Sequence, residues 1–276
     1  MDALFFCPRW GSESLPPAQF IQRVLDAGFD GVEVGLADED PGAEQVLAEA
    51  KSAGLRIITQ HTVTQDPDPG AHLAQYERRL RRAAGFNPVF VNSHTGRDRF
   101  GLADNVRLFK MAQRVSRETG VPVYHETHRS RCCHSPWRTV ELLRALPETR
   151  LVLDLSHWCC VCESLLEDQA DLLEEVLPAV EHVHARVGWE HGPQVNDPRA
   201  PEWVPALAAH LRWWDALANL RRAAGNKALT ITPEFGPPPY LPTLPYTRQP
   251  VVSQWAANLH MRELLRARYQ GERGGA

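Results

Sequence analysis

Seven residues of metal-ligand or acid/base type recur at one kind of place in this chain, at or just after the end of a short apolar run. Glu33 lies in GVEVG, His61 follows LRIITQ, His94 follows PVFVNS, Glu126 closes VPVYHE, Asp154 closes RLVLD, His184 closes VEHVH and Glu234 closes ALTITPE. Any one of them alone is an ordinary loop hydrogen-bonder. Carboxylates and imidazoles gathered from several strands, however, repel or stay unpaired unless a cation or a substrate compensates them, so the set predicts a metal centre. Oxygen ligands mixed with imidazole suit manganese, magnesium, cobalt or zinc, and the set lacks the thiolates of a closed structural zinc site. One divalent ion is expected, with manganese favoured. Its chemistry would be that of a Lewis acid acting on substrate oxygens.

The elements that must position these residues are eight apolar, β-branched runs: ALFFC, GVEVG, LRIITQ, PVFVNS, VPVYHE, RLVLDL, VEHVHA and ALTITPE. Between them lie stretches of helical period such as PPAQFIQRVLDAG, GAEQVLAEAKSAG, NVRLFKMAQRVSRETG and SPWRTVELLRALPE, several opening on Ser or Pro and closing on Gly. Strands that are apolar on both faces read as parallel strands covered by crossover helices. The fold class predicted is α/β, a single (β/α)8 TIM barrel over residues 1–276. Active sites of such barrels sit at the C-terminal strand ends, where all seven residues fall. Two connections, near 188–203 and 236–250, are too long to be simple links and are expected at the active end as lids. The polar GERGGA at the end reads as a frayed tail.

A net charge of -4 and a pI near 6.3 provide no basic field for a nucleic acid or an anionic membrane. No apolar run approaches the roughly 18 residues of a membrane span, and the first residues do not read as a signal peptide. The expectation is a soluble cytoplasmic protein. The six cysteines include Cys132-Cys133 and the cluster Cys159, Cys160 and Cys162, and they read as reduced thiols rather than a disulfide framework. No G-x-G-x-x-G or P-loop pattern is present.

On these residues the chain resembles the xylose-isomerase-like sugar phosphate isomerase/epimerase superfamily, which includes D-tagatose 3-epimerase, hydroxypyruvate isomerase and inosose dehydratase relatives. DLSH (Asp154 to His157) resembles its Asp-x-x-His element and HAR (His184 to Arg186) its His-x-Arg element. The resemblance covers nearly the whole chain. It implies one divalent ion held by Glu126, Asp154, His184 and Glu234, with Glu126 and Glu234 doubling as the two proton shuttles of a metal-stabilised cis-enediolate. It also implies that His157 and Arg186 hold substrate oxygens, with Glu33, His61 and His94 as substrate contacts at the early strand ends. The function expected is a metal-dependent isomerase or epimerase of a small carbohydrate, a ketose, sugar phosphate or related polyol ketone.

Two alternatives remain. The same enediolate can expel a neighbouring hydroxyl, which makes a dehydratase. The endonuclease IV branch binds further metals through two histidines and an Asp-x-His element, but here Asp197-Pro198-Arg199 carries Arg in place of the imidazole, which disfavours a phosphodiesterase. A phosphate group on the substrate would need basic residues near the mouth, for which Arg97, Arg99, Arg129, Arg131 and Arg199 are candidates. Trp10, Trp158, Trp189, Tyr240 and Tyr246 fall in predicted active-end loops, where they can stack on a sugar or simply pack. Trp203, Trp213 and Trp214 fall on a predicted helix; packing is the favoured reading, and an exposed aromatic face around Trp213 points to a homodimer.

Overall fold

Eight parallel strands close on themselves, because the first pairs with the second on one side and with the last on the other. The computed structural model describes residues 1–38, 40–226 and 228–270, so GERGGA lies outside the described residues. The strands are β1 (Asp2–Pro8), β2 (Gly31–Gly35), β3 (Arg56–His61), β4 (Val91–Ser93), β5 (Val123–Glu126), β6 (Leu151–Leu153), β7 (Val180–His184) and β8 (Ala228–Thr232). The helices are α1 (Pro17–Asp26), α2 (Pro41–Ser52), α3 (Pro69–Gly85), α4 (Leu102–Thr119), α5 (Pro136–Ala145), α6 (Leu155–Cys162), α7 (Ala170–Val176), α8 (Val204–Ala223) and α9 (Gln254–Tyr269). This is the predicted TIM barrel. Strands β4 to β8 are shorter than their runs: Pro88 to Phe90 precede β4, Val121 and Pro122 precede β5, Leu155 already belongs to α6, and Ala185 and Pro233 follow β7 and β8.

Helix starts follow local chemistry. Asp40, Asp68, Ser135 and Ser253 accept the backbone N–H of Ala43, Ala71, Arg138 and Ala256, which satisfies an otherwise orphaned donor at the head of α2, α3, α5 and α9. α4 ends at Gly120, whose φ of 73° is the left-handed cap that glycine adopts at least cost.

The inside of the barrel is layered. Phe6, Ile58, Phe90 and Val152 form a buried apolar plug. His182 rests on it, 5.1 Å from the Phe90 ring, with its two nitrogens on Thr230 and Thr232. Above His182 the lining turns polar. Outside the strands the main core lies between sheet and helices. It includes Trp214 and Trp213, 1% and 7% exposed. This corrects the expectation of an exposed aromatic face around Trp213: α8 turns both indoles inward, where their area is buried, so that argument for a homodimer falls away. Among the described residues no helix is long and apolar enough to cross a membrane.

The two long connections are fastened rather than loose. The first folds back through a Trp189–Gly192 bridge and a Val195–Val187 hydrogen bond of 2.9 Å. Gln194 ties it to Gly236 at the start of the second, donating to its carbonyl and accepting its N–H. Gln254 on α9 donates to both Trp10 O and Phe235 O, which joins the β8 connection to that of β1.

Gly188, at the base of the first connection, lies against the start of α6: a methyl group there would stand 2.6 Å from Ser156 backbone. Gly188→Ala is therefore expected to destabilise the fold by about 1–3 kcal/mol, the usual range for overpacking. Denaturant unfolding with an unchanged midpoint would contradict this close approach.

Candidate metal centre

Strand alternation decides which residues meet. Gln60, Asn92, Glu126, Asp154 and His184 share the inward parity of their strands, and Glu234 follows β8 in the same sense. One ligand atom each of Glu126, Asp154, His184 and Glu234 lies within 4.8 Å of the others, and all four side chains are buried. These are the four residues proposed from sequence as the ligand set.

His184 is the centre of the arrangement. Its Nδ1 stands 2.9 Å from Glu234 Oε2 and 3.6 Å from Glu126 Oε2. Yet that nitrogen has no hydrogen-bond partner of good geometry among the described residues. Atoms that converge on one point without bonding each other are what a shared cation requires. Nε2 faces the other way, 3.1 Å from both oxygens of Glu33. A carboxylate on the far nitrogen orients the ring so that Nδ1 faces the cluster, where a cation would take the place of its proton. Three carboxylates, an imidazole and burial thus fit a divalent cation.

The charges show the same need. Burial works against a proton on His184, but Glu234, Glu33 and Glu126 outweigh it and raise its pKa well above the ordinary value. Burial would likewise raise Glu33, yet His184 and His182 hold its carboxyl well below the usual range. Burial pushes the Asp154 carboxyl up to about 6 against the pull of Arg186. Asp154 is also the N-cap of α6: its Oδ1 accepts from Ser156 N at 3.0 Å and Ser156 Oγ at 2.5 Å, and its Oδ2 pairs with Arg186.

A cavity of about 430 Å³ opens over the cluster, lined among others by Arg9, Trp10, Glu13, Asp40, Gln60, His94, His128, Arg186 and Tyr240. Arg186 faces it beneath Tyr240, its guanidinium 4.9 Å from that ring. His157 does not line it. Its Nε2 accepts from Arg186 NH2 at 2.8 Å, and its ring stacks on His128 at 3.8 Å, so it lies behind the arginine. His94 lines the cavity, with Nε2 3.0 Å from Glu126 Oε2.

Two sequence expectations change here. His61 is not brought to the cavity: its Nε2 bonds Thr64 Oγ1 at 2.7 Å and its ring packs on Tyr76 of α3. The strand alternates, so the inward side chain is Gln60, one residue earlier. Glu33 does border the cavity, but its oxygens are engaged by His184, by Asn92 at 3.0 Å and by Thr232 at 2.6 Å.

Reasoning from residue type missed the neutral amides. Asn92 Nδ2 donates to Glu126 Oε2 at 2.7 Å as well as to Glu33, and Gln60 Nε2 reaches Glu126 and Glu234 at 3.4 and 3.5 Å. The inward parity of β3 and β4 was the signal that would have found them. Arg199, where the endonuclease IV pattern needs an imidazole, pairs with Asp197 at 2.7 Å.

Comparison with known proteins places this geometry. Residues 21–200 match the family model described as xylose isomerase-like TIM barrel. No curated protein matches the sequence. Among solved structures, D-allulose 3-epimerase from Methylomonas sp. superimposes with a TM-score of 0.66 at 13% identity, covering 97% of this chain and 98% of that one. The 3-keto-D-glucoside 4-epimerase of E. coli gives 0.63 at 16% identity over 96% and 100%. A xylose isomerase-like TIM barrel protein from Mycobacterium smegmatis, in complex with magnesium, gives 0.60 at 13% identity over 97% and 98%. At such identities the structures establish the fold alone, while the family model spans more than half of the chain. The chain belongs to the xylose isomerase-like TIM barrel family.

Proposed function

We propose that this protein is a divalent-cation-dependent isomerase or epimerase acting on a small carbohydrate ketone. The observation that carries the reading is the convergence of Glu126, Asp154, His184 and Glu234 on one point at the floor of the cavity, with His184 Nδ1 unbonded. That two similar folds are sugar epimerases and a third was solved with magnesium supports it.

An ion held by those four side chains would supply a Lewis acid for the substrate's carbonyl and neighbouring hydroxyl oxygens. Removing the proton from the carbon that carries that hydroxyl falls to a carboxylate that borders the cavity. Glu234 is suited to it: Gln60 lies 3.5 Å from Oε1, and Arg186 NH1 lies 3.5 Å from Oε2 to take up charge. Glu126 is the second shuttle, its Oε2 held by Asn92. Return of the proton to the adjacent carbon makes an isomerase, and delivery to the opposite face makes an epimerase. Arg186 positions substrate oxygens and is itself oriented by Asp154, Ser156 and His157. His157 thus acts through the arginine rather than on substrate. Trp10 and Tyr240, packed edge to face at 5.0 Å, form an aromatic wall for the apolar face of a sugar.

The cavity favours a substrate without phosphate. The two guanidiniums that line it, Arg9 and Arg186, are paired with Asp40 and Asp154, and Glu13 adds negative charge to the rim. None of the five arginines considered from sequence lines it. Arg97 bonds Gln65, Arg131 is bound to the carbonyls of Thr62 and Thr64, Arg199 pairs with Asp197, and Arg129 lies over Tyr240.

Manganese-loaded protein in D2O is expected to place solvent deuterium in one of a panel of free ketoses, read by NMR, with chelation abolishing the exchange. Glu234→Gln should lower turnover about 10²–10⁴-fold, the usual worth of a general acid/base. A near-normal rate would remove Glu234 from that role, and no exchange with any ketose or aldose would sink the isomerase reading. Glu33→Gln leaves the four ligands in place but loses the charge on the back of His184. It should weaken manganese binding about 10–100-fold in a calorimetric titration; unchanged affinity would show that Glu33 does not tune the histidine.

A further inference from the structure

We propose a second carbohydrate subsite beside the metal-side cavity, so that the substrate is a glycosylated ketone rather than a single free sugar. A second hollow of about 490 Å³ opens at the two long connections, lined among others by Arg129, Trp189, Asn196, Trp203 and Tyr240. Tyr240 borders both hollows. A ligand that leaves the first past this ring therefore enters the second.

The walls are built before any ligand arrives. Trp189 and Trp203 stand with ring centroids 5.1 Å apart and planes inclined by 57°, and His191 meets Trp189 edge on at 5.0 Å. Trp203 Nε1–H donates to Asn196 Oδ1 at 2.6 Å, which fixes that indole. The paired bonds between Gln194 and Gly236 hold the two connections together. Both indoles are only half-buried, and both face the hollow.

Such a lining suits a neutral sugar ring. Flat aromatic side chains take its apolar face, while a few placed donors bond the hydroxyls at its edge. Asn196 Oδ1 is occupied by Trp203 and by the Asp197 backbone N–H at 2.7 Å, which leaves Nδ2 to donate to a hydroxyl. Arg129, 5.2 Å over the Tyr240 ring, brings further donors. Among the described residues no carboxylate lines this hollow, so it offers a cation no ligand set. The subsite rests on the carbohydrate reading above for the ring at the metal, and adds a second ring across Tyr240.

The test is a calorimetric titration of manganese-loaded protein with D-fructose and with lactulose, turanose and palatinose, disaccharides that end in fructose and carry the second ring at different positions. At least one disaccharide is expected to bind about tenfold tighter than D-fructose, the worth of one stacked ring. Trp189→Ala should remove that advantage and keep the affinity for D-fructose. Should it fail to fold by circular dichroism, Arg129→Ala, which removes donors rather than packing, is read in the same way. D-fructose bound, or deuterium exchanged into a free ketose, with no disaccharide bound tighter would overturn the subsite and leave the isomerase reading standing. An advantage that survives the substitution would overturn it too. Protein that binds none of these sugars and exchanges no ketose ends both readings.

Discussion

Four carboxylates, Glu33, Glu126, Asp154 and Glu234, are buried within one small volume at the end of the barrel, and the upper half of the molecule is arranged around that charge. Left uncompensated, each would favour protonation or unfolding, since taking a charge out of water costs several kcal/mol. Compensation comes from specific partners: Arg186 for Asp154, His184 for Glu33 and Glu234, Asn92 for Glu33 and Glu126. None of these partners is optional, because removing one leaves a buried group unpaired. The same crowding makes the cluster attractive to a cation, which neutralises several carboxylates at once.

Rigid support reaches the cluster from below and from the side. The apolar plug of Phe6, Ile58, Phe90 and Val152 carries His182, which is linked through Thr232 to Glu33 and so to His184. From the side, the N-terminus of α6 serves three purposes. The backbone N–H of Ser156 caps onto Asp154, the Ser156 hydroxyl holds both Asp154 and Arg186, and His157 braces the guanidinium. The absence of a side chain at Gly188 lets the next connection run against that turn. Helix capping and site geometry are the same contacts here.

The barrel was legible because each strand is a continuous apolar run bounded by capped helices, a pattern that depends on local burial alone. The candidate ligand set was legible because Glu126 and His184 close β5 and β7 and Asp154 and Glu234 follow β6 and β8 in the same inward parity. His61 failed by a single residue. A histidine is the more conspicuous residue beside Gln60, but the pleat turns it toward Tyr76, and residue type cannot reveal which of two neighbours faces the barrel axis. Trp213 was misread for a related reason, since helical period marks a face without saying what packs against it. His157 was placed correctly near the site but one layer too far forward: α6 begins directly after Asp154, and that helical turn sends its ring behind Arg186.

Glu126 emerges as the residue under the most competing demands. Its Oε2 is approached by Asn92 at 2.7 Å, His94 at 3.0 Å, Gln60 at 3.4 Å and His184 at 3.6 Å. Histidines His94 and His184 hold its carboxyl well below the ordinary pKa although burial alone would raise it. A carboxylate held so firmly in its charged form is a good ligand, and the part of second shuttle proposed for it has to work against that hold, since efficient proton transfer favours a pKa near the working pH. Glu234 is approached by a different set, His184 at 2.9 Å and Gln60 and Arg186 at 3.5 Å. The two glutamates thus differ in what surrounds them, Asn92 and His94 closest to Glu126 and His184 closest to Glu234, although residue type makes them equivalent in the sequence.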